Sequence, residues 1–200
     1  MPRCKQKCQI SPRRVFVKNA VPVPATTLEK LARAQARLLR AADAIPPALW
    51  NTRPREACWS SAEVLAHVMT VERVVVAAAK RIFRKPPKHI PMLKRFRLPF
   101  AFVEKRMLRL KTPIPIDPQL LGAKEAMLAE LGEVRGYTLA LIEETGDRDL
   151  STYRWQHPFL GSLNAYEWFW LLGSHQIRHE KQMREIAAAL HKSSLPSSGN

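Results

Sequence analysis

His175 and His179 stand four residues apart in a stretch rich in helix formers, Leu163 to about His191, and a third histidine, His67, stands in a second such stretch. One helical turn puts two imidazoles on one face, where they can converge on a single ion, and a third ring from an adjacent helix completes a facial set. Three neutral imidazoles hold a divalent cation without cancelling its charge. They leave coordination positions open, the arrangement of a catalytic rather than a structural site. Imidazole donors favour late first-row metals, zinc or nickel first, and residue types alone do not choose among zinc, nickel, cobalt and iron. The ordinary alternative is a set of core histidines satisfied by Gln176, Gln182 or backbone carbonyls, since a buried ring without a partner costs about 1–3 kcal/mol.

An open position on such an ion binds water and lowers its pKa, which leads to hydrolysis, or binds a thiol as thiolate, which leads to thiol transfer onto an electrophile. Either chemistry is served by a proton acceptor nearby. The candidates are Glu63, one turn before His67, then His157 and Tyr166. Each has a plain structural alternative: helix capping for Glu63, loop fixing for His157, core packing for Tyr166. Gln182, one turn after His179, is an outer partner of the ligands or a polar group on the seam. Trp155, Trp168, Trp170, Phe159 and Phe169 either wall an apolar pocket for a small electrophile or belong to the core.

The elements that must carry these residues are helices. Only 7 glycines in 200 residues, and no run of short alternating strands, point to an all-α chain with 46% hydrophobic residues to fill one core. Leu28, Leu31, Gln35, Leu38, Ala42 and Ile45 step by three and four, predicting a first helix that ends before Pro46. Ser60 and Glu63 form a capping box, with Trp59 and Val64 as its hydrophobic staple, for a second helix from Ser61 to about Phe83. Its seam is Val64, Val68, Val71, Val75, Ala78 and Ile82, with His67 at the edge. Six prolines between Phe83 and Pro118 make a long crossover that holds at most a short helix near Phe100 to Leu110. A third helix is expected over Gln119 to Thr145, stopped by Gly146, with Leu120, Met127, Leu131, Val134, Thr138 and Leu141 on one face. After a loop from Arg154 to Gly161, Ser162 caps a fourth helix whose seam reads Phe169, Leu172, Gln176, His179, Met183, Ile186 and Leu190. The expectation is a four-helix bundle with a long crossover between helices two and three, spanning 25–191. Residues 1–24 read as a disordered basic tail and 192–200 as a frayed end.

The order of Trp59-Ser60 at a helix start, His67, the His157-Pro158 and Gly161 loop, and His175-x3-His179 with Gln182 resembles the DinB/YfiT-like superfamily over residues 25–190. That resemblance implies a four-helix bundle in which His67, His175 and His179 bind a divalent metal. It also implies a thiol-dependent S-transferase that uses a low-molecular-weight thiol and a small-molecule substrate, with homodimers common among the relatives.

Charge supports a second reading. There are 33 Lys and Arg against 17 Asp and Glu, a net charge of +16, and the excess sits in the leader and in the segment Lys80 to Lys111. With Phe83, His89, Phe96, Phe100 and Phe102 interleaved, that segment suits nonspecific contact with a polyanion, making the alternative a non-enzymatic basic module for nucleic acid or an anionic membrane. No helix-turn-helix, RNP or zinc-finger pattern accompanies it. Cys4, Cys8 and Cys58 are no disulfide framework, and no apolar run is long enough to span a bilayer, so a cytoplasmic location is expected.

Overall fold

Ser60 begins the best-defined helix. Its hydroxyl accepts from the Glu63 amide at 3.2 Å while the Glu63 carboxylate accepts from the Ser60 amide at 2.7 Å, so two donors that a helix start leaves unpaired are both satisfied. The helix that follows is α2, Ser61–Phe83, as its sequence predicts. The computed structural model describes residues 23–87, 101–104, 118–146 and 148–194. Around α2 stand α1 (Ala25–Asp43), α4 (Lys124–Thr145) and α5 (Ala165–Ser194), with a short α3 (Ala101–Glu104) in the crossover. α1 lies along α5, and α2 packs against both α4 and α5, which makes the four-helix bundle. No helix among the described residues is long and apolar enough to cross a membrane.

Two elements differ from the sequence reading. The stretch expected as a loop is a hairpin: β1 (Arg154–His157) pairs antiparallel with β2 (Gly161–Asn164), and His157 faces Gly161. The connection has three residues, and Gly161 takes φ 88°, a left-handed geometry that costs glycine little. Ser162 lies inside β2, so it does not cap α5. Asn164 does: its side-chain oxygen accepts from the Glu167 amide at 2.9 Å and Glu167 accepts from the Asn164 amide at 2.8 Å. α4 begins at Lys124, because Pro118–Leu120 is a separate 3-10 turn. The leader, Lys88 to Arg97 and Lys105 to Lys111 lie outside the described residues; of the basic cluster, Lys80, Arg84 and Lys85 are exposed at the end of α2.

The apolar interior is divided. One cluster gathers Leu38, Trp50, Leu65, Met69, Leu131 and Met183; the other gathers Leu31, Val75, Phe83, Leu150, Phe169 and Leu172. On α2, α4 and α5 the residues between the two clusters are polar: Glu72, then Arg135 and Thr138, then Gln176 and His179, all buried. The α5 seam is buried as its heptad predicts. On α2 the buried position is Glu72 and not Val71, because a helix packed on two neighbours buries a wider stripe than a two-helix seam.

α3 is tied to the bundle through Lys30. Its Nζ lies 2.5 Å from Glu104 Oε1 and 4.1 Å from the Trp170 ring centroid. The Lys30 stem runs so close over α5 that a Cβ at Gly173 would come within 2.9 Å of it. Ser174 donates to the same Glu104 oxygen at 2.8 Å, and Arg178 and Lys181 donate to the Val103 and Glu104 carbonyls.

Candidate metal centre

α2 presents His67 from its second turn, and α5 presents His175 and His179, one turn apart. His175 Nε2 lies 3.2 Å from His67 Nε2 and 3.1 Å from His179 Nε2, and the three ligand atoms all fall within 4.8 Å of one another. Two nitrogens bound to one ion at about 2.0–2.1 Å stand about 2.9–3.4 Å apart for angles between octahedral and tetrahedral, so both measured separations fit a shared cation. A ring nitrogen holds one proton or one lone pair, so His175 makes a good hydrogen bond to one neighbour and not to both; a cation takes all three lone pairs.

Second contacts set the tautomers. Gln182 Oε1 lies 3.0 Å from His179 Nδ1 and, as an acceptor, holds the proton there, leaving the Nε2 lone pair free. His67 Nδ1 is buried and has no partner among the described residues, a cost of about 1–3 kcal/mol that interactions at Nε2 must offset. Burial lowers the pKa of His67 to about 4. Burial, with the repulsion that Arg178 and a charged His67 or His157 would exert, lowers that of His175 to about 3. His179 is lowered well below the ordinary value for the same first reason. All three rings are therefore neutral near pH 7, the form that donates to a metal. Half-buried Trp59 lies against the rings, its centroid 5.2 Å from that of His67 and 6.5 Å from that of His179, to which it is nearly parallel at 14°.

The other candidates fall in different places. Glu63 accepts from Arg53 Nε at 2.9 Å, pairs through its second oxygen with Arg53 Nη2, and closes the capping box, so its carboxylate is committed. Burial alone would raise its pKa, but Arg53 and the Ser60 amide outweigh that and lower it. Tyr166 accepts from the Leu150 amide at 3.2 Å at the hairpin end, and nine residues of helix put it about 13 Å along the axis from His175. Burial raises its pKa. His157 ends β1 of the hairpin. Its Nδ1 accepts from the amides of Phe159 and Leu160, each at 3.1 Å, and its ring leans on Trp168 at 5.2 Å. Trp168 stacks on Trp155 at 5.0 Å and 6°. Phe169 is core, while Phe159 is 47% exposed.

The contact of Trp59 with the rings, Arg53 as the partner of Glu63 and Arg178 as a cation acting on His175 and His179 were not foreseen. Arg178 precedes His179 directly, which was the available signal; nothing along the chain joins Arg53 to Glu63 except proximity.

Gln182 is two contacts from the candidate ion and gives a clean test. Gln182→Leu is expected to lower divalent-metal affinity about 10- to 100-fold with helicity unchanged. Competition against a chromophoric chelator measures it, and unaltered affinity would remove Gln182 from the site.

Residues 30–183 match the family model of the DinB superfamily. Among curated proteins, the uncharacterized protein YuaE of Bacillus subtilis (strain 168) is 26% identical over 145 residues, which cover 71% of this chain and 85% of that protein. Among solved structures, TT2238, described as a four-helix bundle protein, is similar at TM-score 0.48 and 20% identity, covering 84% of this chain and 97% of that one.

Proposed function

The chain belongs to the DinB superfamily, and on that footing we propose that it is a divalent-metal-dependent transferase that joins a low-molecular-weight thiol to a small electrophile. The observation that carries this reading is the convergence of three neutral imidazole nitrogens, His67, His175 and His179, at separations that suit one ion. A zinc or nickel ion there supplies Lewis acidity and lowers the pKa of a thiol or water in its open positions.

The protein's own groups favour the thiol. Water has a pKa near 15.7 and a thiol near 8.5, so hydrolysis leans harder on a proton acceptor beside the nucleophile. Both oxygens of Glu63 are held by Arg53, and one of them also takes the Ser60 amide. The Nδ1 lone pair of His157 is taken by two amides, and Tyr166 is at the far end of the hairpin contact. A nucleophile that ionises with little help suits this setting better than one that needs a base. Gln182 orients His179, and the indole of Trp59 packs against His67 and His179. A reducing cytosol keeps such a thiol available.

The test is metal content followed by transfer. Full-length protein reconstituted with zinc or nickel is expected to hold about one ion per chain, and to conjugate cysteine or a related small thiol to a panel of epoxides and unsaturated carbonyls, with product detected by mass. Stoichiometric metal together with hydrolysis and no conjugation would replace the transferase by a hydrolase. Failure to take up metal would end both.

A further inference from the structure

Lys30 is a buried lysine that reaches across α5. Its side chain keeps only 10% of its exposure, and its stem fills the space over Gly173, where a Cβ would come within 2.9 Å of it. A glycine inside a helix costs about 1 kcal/mol against alanine, so the groove that seats this lysine is kept at some expense to α5. At the end of the groove Lys30 Nζ meets Glu104 Oε1 at 2.5 Å, with the Trp170 ring 4.1 Å below it, and Ser174 donates to the same oxygen at 2.8 Å. Arg178 and Lys181 complete the surround by donating to the carbonyls of Val103 and Glu104, at 3.3 and 2.9 Å. Spaced by four and three residues, Ser174, Arg178 and Lys181 form one stripe of α5 about 10 Å long. The stripe lies at the height of His175 and His179, on the adjoining face of the helix.

Cradle and occupant differ in how firmly they are held. The cradle's side chains all project from α1 and α5, long helices packed along each other. The carboxylate comes from α3, whose four residues form too short a helix to offset its own nucleation, so α3 stands by its outside contacts. The Glu104 side chain keeps 31% of its exposure, which leaves it within reach of a competing anion. Burial alone would raise its pKa, but Lys30, Ser174 and Lys181 outweigh that and lower it, so the surround selects an ionised carboxylate. We propose that Lys30, Ser174, Arg178 and Lys181 form a carboxylate-binding site whose internal occupant is Glu104, and that a small-molecule carboxylate takes that place by displacing it. Lys30 supplies the counter-charge and Ser174 the directed hydrogen bond, while Arg178 and Lys181 carry further donors on the same stripe. Ligand and Glu104 exclude each other, so binding is coupled to release of α3 from α5. The site needs no premise about the metal or the reaction.

Acetate is the probe, titrated as the 13C-labelled salt into full-length protein and followed by NMR and by melting curves, with sodium chloride at equal ionic strength as the control. Glu104→Ala removes the internal competitor, so it should bind acetate at least about tenfold more tightly than wild type and gain Tm on its addition. Glu104→Gln keeps the shape of the occupant without its charge. It should yield to acetate more readily than Glu104 does, with an affinity between the other two, and it carries the test if the alanine variant fails to fold. Lys30→Met added to either variant should abolish the binding. The proposal is overturned if neither Glu104 variant binds acetate more tightly than wild type, if Lys30→Met leaves the affinity unchanged, or if chloride reproduces the rise in Tm. Uptake of phosphate without acetate would overturn the carboxylate as the ligand class.

Discussion

His179→Ala protein is expected to bind zinc or nickel at least about 100-fold more weakly than wild type, and to lose the thermal stabilisation that the metal gives. The floor follows from the fact that mutating a group that merely supports a ligand costs 10- to 100-fold, and His179 is itself one of three donors. His179 Nε2 is 3.1 Å from His175 Nε2, and two imidazoles without the third form an ordinary exchangeable pair. Metal at 100 times its dissociation constant stabilises a folded chain by about 2.7 kcal/mol, so wild type should show a rise in Tm on zinc addition that the variant lacks. His67→Ala should behave alike although its residue comes from another helix, because the three nitrogens act as one donor set. Metal analysis after dialysis, and melting curves with and without zinc, give both readouts. A His179→Ala protein that keeps one tightly held ion per chain would show that the cluster is not the site.

The second large effect lies in the polar belt between the two apolar clusters. Glu72 on α2 sits 2.9 Å from Arg135 Nε and 3.0 Å from Arg135 Nη2 of α4, accepts from Thr138 at 2.7 Å, and accepts from Gln176 of α5 at 3.3 Å. All four side chains are buried. Glu72→Leu leaves a guanidinium in the interior without its counter-charge, and removing one member of a buried pair costs about 3–5 kcal/mol. The Glu72→Leu/Arg135→Met double variant removes both charges and should recover most of that loss, since well-packed apolar replacements of buried pairs are often neutral or stabilising. By comparison, Arg73 and Glu130, partly exposed on the same two helices, should contribute about 1 kcal/mol or less. Urea denaturation of the single and double variants decides it; a double variant as unstable as the single would show that shape, not charge, governs this belt. Gln176 adjoins His175, so the same network sets how α5 is rotated against α2. The stable double variant is therefore also a test of whether the belt aligns the histidines, read from its zinc affinity.

Much of this was legible along the chain because it is local. A capping box needs Ser60 and Glu63 three residues apart, and a heptad needs only its period, so α2 and the buried face of α5 follow from spacing. The pair His175 and His179 follows from the same helical geometry. What spacing missed is where one residue has two readings of similar energy. Ser162 and Asn164 both can cap; the hairpin wins because His157 pairs with Gly161 and extends the chain through Ser162, pushing the helix start to Ala165. Glu72 and Val71 are neighbours on α2, and hydrophobicity alone would bury the valine. The guanidinium of Arg135, 63 residues away, is what makes burial of the carboxylate tolerable.

By itself the order of residues determined that the chain is helical, its family likeness and the pairing of His175 with His179 on one face, since each rests on contacts within a few residues or on residue type; that His67 meets them from 108 residues away is a product of the fold. Only the packed bundle decided that Glu63 is consumed by Arg53, that the Nδ1 of His157 is taken by the amides of its own turn, and that Trp59 lies against the rings. Those outcomes depend on the direction of side chains from separate elements, and a hydrogen bond depends on direction as much as on distance.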